Sequence, residues 1–216
     1  MPEVVKSRKM ASAPTGNSKV VLQKTLKSSI GCTGVGLHSG KKVTMSLNPA
    51  KPNTGIVFHR IDLPANDRIV PARWDCVVDT LMATTIGNNA GACISTVEHL
   101  MAALAGCGID NAIVEVDGAE VPVMDGSAAP FIFLVECAGM VEQNSPRKAI
   151  KIRRPIEVGN ADKFISAKPD EVFSVKFEID FKDTAVARQD LTMRLVNGTF
   201  KTEIARARTF GFIHEV

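Results

Sequence analysis

Two adjacent side chains, Glu98 and His99, have the clearest capacity for chemistry in this chain. A carboxylate beside an imidazole can shuttle a proton, and an imidazole can ligate a metal ion. Both sit within residues 94–106, where Val97, Leu100, Met101 and Leu104 recur at i, i+3, i+4 and i+7. That is the period of an amphipathic helix with one buried stripe. Ser95 stands where an N-cap belongs and Gly106 where a helix stops. Beside Glu98 and His99, Ala102, Ala103 and Ala105 replace the Lys, Glu or Gln of an ordinary solvated face, leaving room for a ligand to approach. Two plainer readings stay open at this point. Ser95-x-x-Glu98 fits a capping box, and a single helical histidine is commonly a hydrogen-bonded structural residue.

A second cluster, Asp125-Gly126-Ser127, reads on its own as a turn followed by an N-cap. Taken singly, Lys163 is an ordinary surface lysine, Phe181 an ordinary apolar aromatic, and Thr209 carries no signal.

The elements that must position these residues are mostly strands. The 216 residues are enough for one large or two small domains, and 45% hydrophobic with 23% charged residues is ordinary for a globular protein. A net charge of +3 implies neither nucleic-acid nor membrane binding. No apolar run approaches the roughly 18 residues that span a bilayer. The five cysteines form no Cys-x-x-Cys, which argues for a reducing, cytoplasmic setting and against a thiolate zinc site. Residues 1–19 read as a disordered basic tail. A first α+β domain is expected over 20–145, with strands at 20–27, 42–47, 56–60, 68–71 and 112–116, a glycine-bearing bend at 31–36, and a second helix at 128–138 ending on Gly139. Asn144-Ser145-Pro146 marks a boundary. Strands are then expected at 149–152, 155–158, 163–167, 173–181 and 198–204 of a second domain, 146–216. The fold class is α+β.

Four blocks carry a resemblance. They are Thr33-Gly34-Val35-Gly36-Leu37-His38-Ser39-Gly40, Ile94-Ser95-Thr96-Val97-Glu98-His99-Leu100, Met124-Asp125-Gly126-Ser127-Ala128-Ala129-Pro130-Phe131, and Ala207-Arg208-Thr209-Phe210-Gly211-Phe212. In this order the chain resembles the UDP-3-O-acyl-N-acetylglucosamine deacetylases, zinc-dependent amidohydrolases at the committed step of lipid A biosynthesis in Gram-negative bacteria. The resemblance implies two similar layered α/β-sandwich domains with the active site between them. It implies Glu98 as general base, His99 as one of three Zn2+ ligands, and Thr209 as a catalytic hydroxyl aimed at the oxyanion. Asp125 becomes a polar residue near the reaction centre. Phe181 would stack on uracil, Lys163 meet the diphosphate, Leu81 and Phe210 border the acyl chain, and His38 lie near the site mouth. The implied partner is the acylated sugar nucleotide, with no nucleic acid, no integral membrane segment, and a monomer when full length.

The family takes its other zinc ligands from a His-x-x-x-Asp helix and its general acid from a further histidine. None of the four histidines here, His38, His59, His99 and His214, precedes an aspartate by that spacing. The expectation is a C-terminally truncated chain whose second domain is incomplete and which is inactive alone, because catalytic zinc generally needs three protein ligands. The contrasting reading is a non-catalytic binding module that keeps the fold.

Overall fold

The computed structural model describes residues 20–182, 184–196 and 198–212. The expected basic tail and His214 lie outside the described residues.

In chain order the elements are β1 (Leu22–Leu26), β2 (Ile30–Val35), β3 (Lys42–Pro49), β4 (Ile56–Arg60), β5 (Ile69–Pro71), β6 (Val77–Asp79), β7 (Thr85–Gly87) and β8 (Cys93–Ile94). They continue with α1 (Glu98–Cys107), β9 (Ala112–Val116), α2 (Ala129–Ala138), β10 (Met140–Pro146), β11 (Ile156–Gly159), β12 (Phe164–Ala167), β13 (Ser174–Phe181) and β14 (Ala187–Arg194). Among the described residues the main sheet has the order β2-β3-β9-β4-β5, antiparallel except where β4 runs parallel to β9. The alternation of Val43, Met45 and Leu47 along β3 turns all three into the core. β9 sits at the sheet centre and buries Ala112, Val114 and Val116. These side chains join Phe58 of β4, Leu100, Ala103 and Leu104 of α1, and Phe131, Leu134 and Val135 of α2 in one buried cluster. A small β6-β7-β8 sheet leads into α1. The fold class is therefore α+β, as expected.

The segment from 20 to 146 is closed by its own ends, because β1 pairs antiparallel with β10 and Leu22 lies opposite Pro146. Beyond it, β11–β12 and β13–β14 are two-stranded hairpins. Their apolar residues Phe164, Ile165, Phe173, Phe177 and Leu191 are more than half exposed.

Several local expectations are corrected. The bend expected at 31–36 is strand β2, because Gly31 lets the backbone lie close to the Met45 carbonyl on β3. Ser95 does not cap α1: it bridges to Glu120, and the N-cap is Val97, without a side-chain cap. Gly106 lies inside α1, and the left-handed terminator is Gly108 at φ 73°. Residues 149–152 form no strand. The strand expected at 198–204 is instead a π-helical turn at Phe200–Ile204. That turn docks on α1, where a Cβ at Gly106 would lie 2.1 Å from the Phe200 ring.

Candidate functional site

Glu98 opens α1 and His99 follows it, both half-buried. The chain enters this helix through Thr96, which is buried and adopts a left-handed φ of 58°. β-branched residues rarely take that conformation unless surrounding contacts hold them there. The contacts are visible. The Ser95 amide donates to the Ala119 carbonyl at 2.9 Å, and the Val121 amide donates to the Ser95 carbonyl at 3.1 Å. The Thr96 hydroxyl donates to Glu120 at 3.0 Å. From the other side the Val97 amide donates to the Thr84 carbonyl, and the Thr84 amide donates to Glu98 Oε2 at 3.2 Å. The Glu98 carboxylate is thus oriented by the Thr84 backbone and does not reach back to Ser95, so the capping box is absent. His99 Nδ1 is buried and has no hydrogen-bond partner among the described residues. Buried polar nitrogens are nearly always paired in folded proteins. Of the alanines that would leave room beside this pair, Ala103 is fully buried in the core, whereas Ala105 is exposed.

Glu120 is 4% exposed and accepts three further groups into its carboxylate. These are the amides of His38 at 2.9 Å and Ser39 at 3.0 Å, and the Thr96 hydroxyl. Burial alone would raise its pKa, but the donors from His38, Ser39 and Thr96 outweigh that and hold the carboxyl below the usual carboxylate range. His38 itself is exposed, and only its backbone takes part.

Asp125 follows Met124, another left-handed residue at φ 56°. Its Oδ1 accepts the Ser127 hydroxyl at 2.7 Å and the Ser127 amide at 3.0 Å, so Asp125-Gly126-Ser127 is a turn as expected, but the N-cap of α2 is Ala128, without a side-chain cap. The Ser127 hydroxyl is the main cause that lowers the Asp125 pKa, with burial opposing it and Arg208 adding to it from 3.9 Å. The Thr209 amide donates to the Gly126 carbonyl at 3.0 Å, which brings the 207–212 segment against this turn. Phe181, Phe210 and Phe212 meet edge to face, with centroids 5.4–5.8 Å apart.

The remaining sequence-derived candidates are Leu81 and Lys163. Leu81 is 79% exposed on the turn after β6, three residues before Thr84. Lys163 is exposed in the β11–β12 turn, its amide donating to the Asn160 side chain at 2.8 Å. Among the described residues no three His, Cys, Asp or Glu side chains are grouped as a metal site. Thr84, Thr96, Glu120 and Arg208 were not legible as site residues. They act through backbone geometry or long-range pairing, which leaves no local spacing in a sequence.

The chain is similar in sequence to known proteins. The family model described as LpxC: UDP-3-O-acyl N-acetylglycosamine deacetylase matches residues 23–216. A UDP-3-O-acyl-N-acetylglucosamine deacetylase of Shewanella sp. strain W3-18-1 is 50% identical over 200 residues, covering 91% of this chain and 65% of the relative. The proteins of that name from Pseudoalteromonas atlantica and Acidithiobacillus ferrooxidans are each 49% identical over 199 residues, with the same coverage. The chain thus spans about 65% of the length of the curated relatives it matches. With the family model matching residues 23–216 and these relatives 49–50% identical over 91% of its length, the chain belongs to the UDP-3-O-acyl N-acetylglycosamine deacetylase family.

Proposed function

We propose that the chain carries the general base and one zinc ligand of a hydrolase that removes the N-acetyl group of UDP-3-O-acyl-N-acetylglucosamine, the reaction after which its relatives are named. One observation carries the reading: a buried, unpartnered imidazole nitrogen on His99, next to a carboxylate held by one oxygen. Zinc bound at His99 would polarise the acetamide carbonyl and bring the pKa of a coordinated water towards neutrality. With Oε2 of Glu98 engaged by Thr84, Oε1 is the atom that takes the proton from the attacking water. General-base help of this kind contributes about 10²–10⁴-fold in rate. The Thr209 hydroxyl donates to the carbonyl oxygen as it gains charge, worth about 3 kcal/mol in a dry site. Asp125, kept ionised by Ser127 and Arg208, supplies a fixed negative charge nearby. Phe181 stacks on uracil, Lys163 pairs with the diphosphate, Leu81 and Phe210 border the acyl chain, and His38 lies at the mouth.

His99 is the one zinc ligand in this reading, and no three His, Cys, Asp or Glu side chains are grouped among the described residues, so weak zinc binding is the expectation for this chain alone. The rest of the family's architecture supplies the remaining ligands, as a monomer in the cytoplasm. The unpaired Cys32, Cys76, Cys93, Cys107 and Cys137 suit that reducing compartment. No helix among the described residues is long and apolar enough to cross a membrane.

The test is a chimera of this chain with the part of the Shewanella relative that the match leaves out. It should bind zinc stoichiometrically and release acetate from the acylated sugar nucleotide. His99→Ala should abolish both. Stoichiometric zinc and unaltered turnover in His99→Ala would refute the reading.

A further inference from the structure

We propose that Glu120 is a positioning residue, which through Thr96 sets the start of α1, and with it Glu98 and His99, against the Gly36–Ser39 loop. The role rests on the catalytic reading of Glu98 and His99, but its structural content can be tested separately.

Three observations converge on this carboxylate. First, its connections join segments remote in sequence: Oε1 accepts the His38 amide and the Thr96 hydroxyl, and Oε2 accepts the Ser39 amide. A buried carboxylate with several donors fixes the geometry of everything that donates to it. Second, one of those donors is the residue under backbone strain. Thr96, at φ 58° and 2% exposed, is the last residue before the Val97 cap, so its dihedral angles aim the first turn of α1. The Thr96–Glu120 hydrogen bond offsets a conformation that threonine otherwise avoids. Third, the loop is shaped to receive the carboxylate. A Cβ on Gly36 would lie 2.3 Å from Glu120 Oε2 and 2.3 Å from Ser39 Oγ, so only glycine permits this approach. Backbone pairing of Ser95 with Ala119 and Val121 brackets Glu120 on both sides and prevents it from drifting.

A merely structural carboxylate and a positioning one predict different behaviour for Thr96→Gly. Glycine tolerates the left-handed angle without help. It therefore removes the need for Glu120 at α1 while leaving the His38 and Ser39 amides dependent on it.

The experiment uses the 216-residue chain labelled with ¹⁵N, comparing Glu120→Ala, Glu120→Gln, Thr96→Gly and the double variant Glu120→Ala/Thr96→Gly. Glu120→Ala should shift the His99 imidazole nitrogens and the Thr84 amide. It should also speed hydrogen exchange of the His38 and Ser39 amides about tenfold or more, as expected for the loss of a charged hydrogen-bond acceptor. The double variant should return the His99 and Thr84 signals towards wild type but leave His38 and Ser39 exchange fast. Glu120→Gln keeps the side-chain shape and one acceptor oxygen and should show the same shifts at smaller amplitude. It decides the matter if Glu120→Ala does not fold. Unshifted His99 and Thr84 signals in folded Glu120→Ala or Glu120→Gln would overturn the proposal, as would failure of Thr96→Gly to restore them. None of these readouts uses turnover, so an inactive Glu98 would refute the catalytic reading and leave this result standing.

Discussion

At Glu120 and Asp125, short polar contacts decide which carboxylates stay charged. Both carboxyls titrate below their usual range in the fold because donors to the anion outweigh burial. For such a group the unfolded chain binds protons more readily. Its contribution to stability is thus full above the unfolded pKa, near 4.3 for glutamate, and is lost as pH falls through the depressed folded value. Urea unfolding of the chain between pH 3 and pH 7 should therefore show stability falling below about pH 4.5, with a shallower slope in Glu120→Gln. Equal slopes for the two proteins would remove Glu120 from the account. Sequence spacing exposed Glu98 and His99 because both fall outside the apolar i, i+3, i+4, i+7 stripe of one helix, and Asp125 with Ser127 because turn chemistry is local. Glu120 was hidden. Its partners His38, Ser39 and Thr96 come from segments 24 to 82 residues away, and no periodicity links them.

Among the elements, α1 shows how an apolar pattern can be right while its ends are misread. Val97, Leu100 and Leu104 are buried as their spacing requires. The helix nevertheless runs through Gly106 to Gly108, because a glycine in a helix can serve close packing as well as termination. Here Gly106 admits the Phe200 ring, and Ala205 of the same segment is buried. Gly106→Ala improves intrinsic helix propensity by about 1 kcal/mol, yet the clash with Phe200 should cost about 1–3 kcal/mol. The expected result is faster hydrogen exchange at the Ala205 amide, which donates to the Phe200 carbonyl, with little change in β9. Retained protection at Ala205 would show that the turn does not depend on this contact. The turn itself was unreadable as a helix. Five residues are too few for periodicity, and Phe200 and Ile204 suit a strand equally well. In the same way β10 is a polar stretch that becomes a strand through its pairing with β1.

For the molecule as a whole, the segment closed by β1 and β10 holds nearly all of the buried cluster, whereas β11–β14 leave Phe164, Phe173 and Phe177 exposed. We expect limited proteolysis to cut between 147 and 196 first and to leave 20–146 intact, in keeping with a first domain that ends near Pro146. A first cut inside 20–146 would oppose that division. The α+β character was legible from alternation along β3 and from the two helical stretches, whereas the equally regular alternation of β13 leads to no buried face. The docking of 198–212 was not, since it rests on Phe200 at Gly106, Lys201 at Glu136 and Thr209 at Gly126. That docking brings Thr209 and Phe210 beside the Asp125 turn, on which the proposed chemistry depends. The most direct test is Glu98→Gln in the chimera with the Shewanella relative, assayed for acetate release with zinc content measured in parallel. Turnover should fall by about 10²–10⁴-fold with zinc still bound, because the base is lost and the ligand kept. Undiminished turnover at full zinc content would contradict the assignment of Glu98 as the base.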